Sequence, residues 1–141
     1  MVWAIIKELR VQQWLKNLFV LIPLVFDRQL TRGDSLLRSL AGFLLFCFIS
    51  SSVYIINDIM DIEADRLHPR KRNRPIASGK LPLHIAWIVA AVLVTISLVG
   101  AFLLSRSFAL LLTIYFLINL AYSIRLKHIA LIDVFIIAAG F

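Results

Sequence analysis

The protein has 141 residues, of which 61% are hydrophobic and 16% are charged, whereas a soluble domain usually carries about a quarter charged residues. Together with a mean hydropathy of +0.91, this composition argues against a water-soluble globule. Lysine and arginine outnumber aspartate and glutamate by 15 to 8, which in so apolar a chain predicts membrane orientation and not nucleic-acid binding. The single cysteine, Cys47, excludes an internal disulfide and a cysteine-based zinc site.

Apolar stretches long enough to cross a bilayer alternate with charged segments along the chain. Residues 11–30 predict a first span that is kinked at Pro23. Residues 39–57, 81–105 and 107–124 predict three further spans, the shortest of which has 18 residues and reaches roughly 27 Å as a helix. The last apolar segment, residues 129–141, is too short to span and predicts the beginning of a fifth helix.

The expected fold is therefore an all-α, polytopic transmembrane helix bundle with about four complete spans and the start of a fifth. We expect residues 1–141 to form a single membrane domain and, because the last segment stops in mid-helix, to be the N-terminal portion of a longer bundle. Alternate sides of the predicted bundle hold 11 and 4 of the basic residues. The positive-inside rule then places the N-terminus and the loop 61–80 in the cytoplasm. We expect the protein to lie in the plasma membrane.

Half of the acidic residues fall within eight positions at the predicted cytoplasmic end of the second span. On a helix, four oxygen-bearing side chains there share an arc of about 100°: Asn57, Asp58, Asp61 and Asp65. Glu63 lies on the opposite side and is predicted to be solvated or salt-bridged. Two carboxylates about 6 Å apart repel by roughly 3 kcal/mol at an effective dielectric of about 20, so the arc requires a cation. Oxygen ligands without histidine or cysteine favour Mg²⁺.

A strongly basic loop follows the acidic residues. Six cations lie within 15 positions: Arg66, Arg70, Lys71, Arg72, Arg74 and Lys80. Magnesium together with basic side chains suits a diphosphate leaving group, because both stabilise the charge that develops as the bond breaks. The structural alternative is that acids and bases pair at the interface and fix topology. We favour that alternative for Arg70, Arg72 and Lys80 individually, but favour function for the acidic arc.

These residues also form a recognisable pattern. Asn57-Asp58-x-x-Asp61-x-x-x-Asp65 on a spanning helix, followed by Arg74-Pro75-Ile76-Ala77-Ser78-Gly79, resembles the first aspartate motif and the following loop of the UbiA-type intramembrane prenyltransferase superfamily. Within it, residues 13–17 (QWLKN), 68–75 (HPRKRNRP) and 122–127 (YSIRLK) are most similar to decaprenyl-phosphate phosphoribosyltransferases.

The resemblance implies a helical bundle of about nine spans with a central cavity, in which the first aspartate motif binds Mg²⁺ and a diphosphate. In the phosphoribosyltransferase branch the donor is phosphoribosyl pyrophosphate and the acceptor a polyprenyl phosphate, in cell-wall biosynthesis. The implied metal ligands are Asn57, Asp58, Asp61 and Asp65. The implied catalytic residues are Asp58, Asp61, Lys71 and Arg74, of which the two basic residues contact phosphates. The remaining substrate-binding candidates are Lys16, Asn17, Asn57, Arg66, Tyr122 and Lys127.

Two other functions stay open at this point. In the first, the same aspartates hold the diphosphate of an isoprenoid, which is transferred to an aromatic acceptor such as 4-hydroxybenzoate. Residues 14–17 and 68–71 favour phosphoribosyl transfer over this alternative. In the second, the protein is not an enzyme and its basic loop binds anionic lipid. The sequence leaves the oligomeric state open.

Overall fold

The computed structural model describes residues 1–21 and 33–124. Within these two ranges the chain is helical and contains no strand, which confirms the all-α class. The helices are α1 (Val2–Glu8), a 3₁₀ segment (Val11–Leu21), α2 (Gly33–Met60), α3 (Ile62–Leu67), α4 (Leu83–Leu104) and α5 (Arg106–Ile124).

Three of these helices are long and apolar enough to cross a membrane: Leu36–Met60, Leu83–Leu104 and Arg106–Ile124. They confirm the spans predicted over residues 39–57, 81–105 and 107–124, and they make the chain an integral membrane protein. The span predicted over residues 11–30 is described only as far as residue 21, where the 3₁₀ segment ends. The fifth segment, residues 129–141, lies outside the described residues.

Helix α2 is the central helix of the described bundle. Its membrane-spanning window is 61% buried, against 17% for α4 and 11% for α5. Near its middle, Phe46 and Ile49 pack with Ala101 of α4 and Leu112 of α5. Near its end, Ile55 and Ile59 pack with residues of α4 and of the loop before α4. The end of α2 is therefore enclosed by protein, and polar side chains there face other parts of the chain.

Glycine residues lie where α4 and α5 pack against α2, and small residues at such positions allow membrane helices to approach closely. A Cβ atom added at Gly100 of α4 would lie 2.7 Å from a methyl carbon of Leu45, which is too close for two carbon atoms. At Gly42 of α2 the added atom would lie 3.6 Å from Phe108, an ordinary contact. At Gly100 an added side chain would therefore have to displace the side chain of Leu45.

The loop between α3 and α4 folds back against the end of α2. Ile76 and Leu81 are buried in the same cluster as Ile55, and the Leu81 amide donates to the Pro75 carbonyl at 2.9 Å. Gly79 has φ of 78°, a left-handed conformation that glycine adopts without steric cost. These contacts fix the loop so that Arg74, the residue before Pro75, lies beside the end of α2.

The N-terminal segment docks on the same helix. The Trp14 indole N–H donates to the Ser51 hydroxyl at 3.0 Å, and that hydroxyl donates to the Leu9 carbonyl at 2.7 Å. The Trp14 ring also packs edge-on against Phe48, with ring centroids 6.0 Å apart. Since Arg10 lies between Leu9 and Trp14 in the chain, this docking brings its side chain to the end of α2.

The close approach at Gly100 yields a prediction about stability. Replacing Gly100 by Val introduces a branched side chain against Leu45, so we expect the full-length protein to lose about 1–3 kcal/mol of unfolding free energy. Thermal unfolding in detergent measures this loss. Gly33→Val, in open space at the start of α2, is the matched control and should change the midpoint little. A Leu45→Ala background should reduce the cost of Gly100→Val, and equal midpoints for the two glycine variants would contradict the close approach.

Candidate active site

The acidic residues lie on two consecutive helices and not on one continuous helix. Helix α2 ends at Met60 and α3 begins at Ile62, with Asp61 as the N-cap between them. Aspartate favours such a position because its side chain competes with helical hydrogen bonds. The break is small, since the Asp61 amide still donates to the Asn57 carbonyl at 3.0 Å and the Asp65 amide to the Asp61 carbonyl at 2.8 Å.

Asp58 is the centre of a buried ion network. Its side chain is 2% exposed, and Nη2 of Arg10 donates to both of its oxygens, at 2.8 and 2.7 Å. Nη1 of Arg74 donates to Oδ1 of Asp58 and to Oδ2 of Asp65, both at 2.8 Å. Asp65 is also buried, so one guanidinium nitrogen joins the two aspartates. Charge-assisted hydrogen bonds of this kind are stronger than neutral ones.

Arg10 has an unusual backbone conformation at this site. Its φ is 50°, in the left-handed region that costs a residue with a Cβ about 1–2 kcal/mol. The guanidinium lies 4.8 Å from the centre of the Tyr54 ring, a favourable cation–π distance. The Asp58 ion pair and the Tyr54 contact together stabilise this conformation, which turns the chain between α1 and the 3₁₀ segment.

The other predicted residues near the acidic motif occupy different positions. The Asn57 amide donates to Oδ2 of Asp61 at 3.4 Å, so these two side chains contact each other. Glu63 is exposed and pairs with Arg66 at 3.5 Å, as expected for a residue outside the site. Arg66 also donates from Nε to the Ala77 carbonyl at 3.2 Å, which ties α3 to the basic loop.

The more distant candidates are not all gathered at Asp58. Lys71 and Lys16 are exposed, and Tyr122 is half-buried in the last turn of α5. Asn17 is buried and its amide contacts the sulfur of Cys47 at 3.5 Å, which is a packing contact with α2. Lys127 lies outside the described residues. Their predicted roles in substrate binding stay predictions.

Glu8 is a further acidic residue at the site. It is buried, and its Oε1 has no hydrogen-bond partner among the described residues. Burial of the carboxyl, a hydrogen bond to Asp58 and the negative charge of Asp58 raise the pKa of Glu8 to about 8, although two neighbouring arginines oppose the shift. The raised pKa favours the neutral carboxyl, so Glu8 adds less negative charge to the network than an exposed glutamate would.

Sequence reasoning missed both Glu8 and Arg10. Arg10 and Asp58 are 48 positions apart, and no periodicity within α1 points to a partner on α2. Their position in the sequence is the one signal that points to the site: the two charges flank Leu9 shortly before residues 13–17, one of the stretches that carry the family resemblance. A charged pair beside a motif of interest is a reasonable candidate for the same site.

A cleft of about 460 Å³ opens beside this network. Its lining includes the charged residues Arg10, Asp58 and Arg74 and the apolar residues Trp3, Ile6 and Val11. This volume is within the range of small-molecule sites, roughly 300–1,000 Å³. The site therefore combines two guanidiniums, a buried carboxylate and an apolar wall at the end of a membrane helix.

Comparison with known proteins identifies the family. Residues 29–141 match the model described as the UbiA prenyltransferase family. The chain belongs to the UbiA prenyltransferase family.

The chain is also similar, over nearly its whole length, to individual curated proteins. The chain is 40% identical over 145 residues to decaprenyl-phosphate phosphoribosyltransferase of Mycolicibacterium smegmatis, covering 100% of this chain and 46% of the relative. It is 38% identical to the protein of that name from Corynebacterium glutamicum, covering 98% and 43%. It is 41% identical to uncharacterized protein y4nM of Sinorhizobium fredii, covering 96% and 26%. The chain thus spans less than half the length of these relatives.

The donor chemistry of this UbiA-family site fits Mg²⁺. Oxygens of Asp58 and Asp65 converge on one cationic nitrogen, each at 2.8 Å, so the fold already supplies a position where two carboxylates share a positive charge. Magnesium commonly takes one or two carboxylates and completes its shell with waters and substrate phosphates. Across residues 1–21 and 33–124, three or more His, Cys, Asp or Glu side chains are not grouped closely enough to form an all-protein metal site.

The raised pKa of Glu8 predicts a pH dependence of stability. The folded-state pKa of about 8 exceeds the ordinary value of 4.5, so the folded protein holds an additional proton between these pH values. The resulting stabilisation is complete below pH 4.5 and is lost as the pH rises through about 8. The melting temperature of the full-length protein should therefore fall over this interval, and Glu8→Gln should flatten the decrease. Parallel curves for the two proteins would contradict the raised pKa of Glu8.

Proposed function

We propose that the full-length protein transfers the 5-phosphoribosyl group of phosphoribosyl pyrophosphate to a polyprenyl phosphate, such as decaprenyl phosphate, and releases pyrophosphate. The observation that carries the proposal is the meeting of Arg10, Arg74 and the buried Asp58 at the end of membrane helix α2. Relatives that match nearly all of this chain and are named decaprenyl-phosphate phosphoribosyltransferase support the choice of substrates.

The reaction requires two phosphate-bearing substrates to meet at a membrane surface. The bond between C1 of the ribosyl group and the diphosphate oxygen breaks, and an oxygen of the lipid phosphate forms the new bond to C1. Pyrophosphate leaves with the electron pair of the broken bond. The lipid phosphate is ionised at neutral pH and attacks directly, so we assign no general base and no covalent enzyme intermediate.

In this proposal the described residues bind charge and position the substrates. Arg74 and Lys71 bind the diphosphate; without Mg²⁺, the buried Asp58 and Asp65 pair with Arg74. Mg²⁺ is the proposed cofactor; Asp58 and Asp65 would hold it, with Asn57 and Asp61 as further candidate ligands, and when bound it would stabilise the negative charge of the departing pyrophosphate. Positioning of two reactants alone contributes several kcal/mol to such reactions.

The distribution of basic residues supports a cytoplasmic site in the plasma membrane. The loop that carries Arg74 belongs to the side with 11 of the 15 lysines and arginines, which the positive-inside rule assigns to the cytoplasm. The water-soluble donor would then enter from the cytoplasm, and the lipid acceptor from the membrane.

The description of the matched family as prenyltransferases favours one alternative, in which a polyprenyl diphosphate is the donor and an aromatic compound such as 4-hydroxybenzoate is the acceptor. The two functions differ in which substrate carries the diphosphate. They therefore give different labelled products.

A transfer assay with the full-length protein distinguishes these functions. We expect phosphoribosyl pyrophosphate labelled in the ribosyl group to produce labelled polyprenyl phosphoribose, and no transfer from polyprenyl diphosphate to 4-hydroxybenzoate. The products are separated by thin-layer chromatography of the lipid extract. Absence of labelled lipid, together with prenylation of the aromatic acceptor, would reverse the assignment.

Substitutions of the acidic residues test whether the site is catalytic. Asp58→Asn and Asp61→Ala should each lower the rate of transfer by about a hundredfold or more, because they remove groups that bind or organise charge at the leaving group. Glu63→Gln, an exposed acid outside the site, is the control and should retain activity. A protein whose basic loop only binds anionic lipid would instead tolerate both aspartate substitutions and lose its function on neutralisation of Arg70, Lys71 and Arg72.

A further inference from the structure

The cleft beside Asp58 has donors for an anion that the ion network does not use. Among the described residues, the hydrogen bonds of Arg10 come from Nη2 and those of Arg74 from Nη1. A guanidinium carries five N–H donors, so Nε and the other terminal nitrogen of each side chain remain for a ligand. Both side chains line the cleft and are about a quarter exposed, which leaves these donors accessible.

The charge of the cleft also favours an anion. Lys7, Arg10 and Arg74 line it together with Asp58 and Glu8. The lining therefore holds three cationic side chains and two acidic ones. Phosphate groups are bound by such arginine clusters through charge-assisted hydrogen bonds.

The apolar lining of the cleft distinguishes a lipid phosphate from a water-soluble one. Trp3 belongs to this lining and is 82% exposed, and Ile6 and Val11 are each 43% exposed. A cleft for a sugar diphosphate needs no exposed apolar wall, whereas an isoprenoid chain attached to a phosphate buries such a surface. Tryptophan is also enriched at membrane–water interfaces. The phosphate and the apolar chain of a lipid phosphate meet at the same depth.

From this arrangement we propose that the cleft between α1 and the end of α2 binds the acceptor, with the phosphate of an isoprenoid monoester on Arg10 and its first isoprene units on Trp3 and Ile6. This inference rests on the proposed function, which it deepens by giving the acceptor a site of its own. Arg10 and Arg74 meet on the same Asp58 oxygen. A phosphate on Arg10 therefore lies beside a diphosphate on Arg74, as attack at C1 requires.

The site is tested by equilibrium binding, which does not depend on turnover. The full-length protein, in nanodiscs of phosphatidylcholine, is titrated with radiolabelled farnesyl phosphate, with inorganic phosphate and with phosphoribosyl pyrophosphate, and empty nanodiscs give the background. Arg10→Gln should weaken farnesyl phosphate binding about tenfold or more, the usual effect of losing a charged hydrogen bond. Arg72→Gln removes the same charge from an exposed position outside the cleft and should leave the affinity unchanged.

Trp3→Ser provides a variant that does not disturb folding, because the side chain is 82% exposed. We expect it to weaken farnesyl phosphate binding about threefold or more, while binding of inorganic phosphate and of phosphoribosyl pyrophosphate stays as in the wild type. Selective loss of farnesyl phosphate binding in both Arg10→Gln and Trp3→Ser would support the site even if the transfer assay failed.

Three results would overturn the proposal, whatever the transfer assay shows. In the first, both variants bind farnesyl phosphate with wild-type affinity. In the second, Arg72→Gln weakens binding as much as Arg10→Gln, which would indicate diffuse attraction by the basic residues. In the third, Trp3→Ser weakens phosphoribosyl pyrophosphate binding and not farnesyl phosphate binding, which would assign the cleft to the donor.

Discussion

A buried carboxylate at the end of a membrane helix must be neutralised, and this requirement organises the described part of the protein. Asp58 is 2% exposed, and an unpaired charge at such a position costs several kcal/mol. Two arginines from distant segments satisfy it, one from the N-terminal region and one from the loop after α3. Removing Arg10 or Arg74 would leave the buried charge of Asp58 only partly neutralised. The ion pairs thus join the N-terminal region and the loop after α3 to the end of α2.

Contacts other than the ion pairs hold the segments that carry the two arginines against α2. Ser51 and Trp14 attach the N-terminal region to α2, and Ile76 and Leu81 anchor the basic loop in the cluster at the end of that helix. The two arginines are therefore anchored from both ends of the network, and both line the cleft. A site organised in this way loses little freedom when a phosphate binds, which is the physical advantage of preorganisation.

The sequence predicted the parts of this architecture that depend on local pattern. Uncharged stretches located the three spans of α2, α4 and α5, and the close spacing of Asp58, Asp61 and Asp65 located the end of α2 as the candidate site. The same pattern suggested one continuous helix, whereas α2 and α3 are separated at Asp61, whose φ of −97° and ψ of 8° leave the helical range. Pairing of Arg10 with Asp58 across 48 positions depends on tertiary packing, which periodicity within a segment does not encode.

The central claim is that the acidic end of α2 and its arginines form a magnesium-dependent site for a diphosphate. The most direct measurement is the affinity of the full-length protein for phosphoribosyl pyrophosphate as a function of Mg²⁺ concentration, in the wild type and in Asp58→Asn. The account predicts that Mg²⁺ strengthens donor binding to the wild-type protein and that most of this response is lost in the variant. Donor binding that is independent of Mg²⁺, or an equal response in the two proteins, would contradict it.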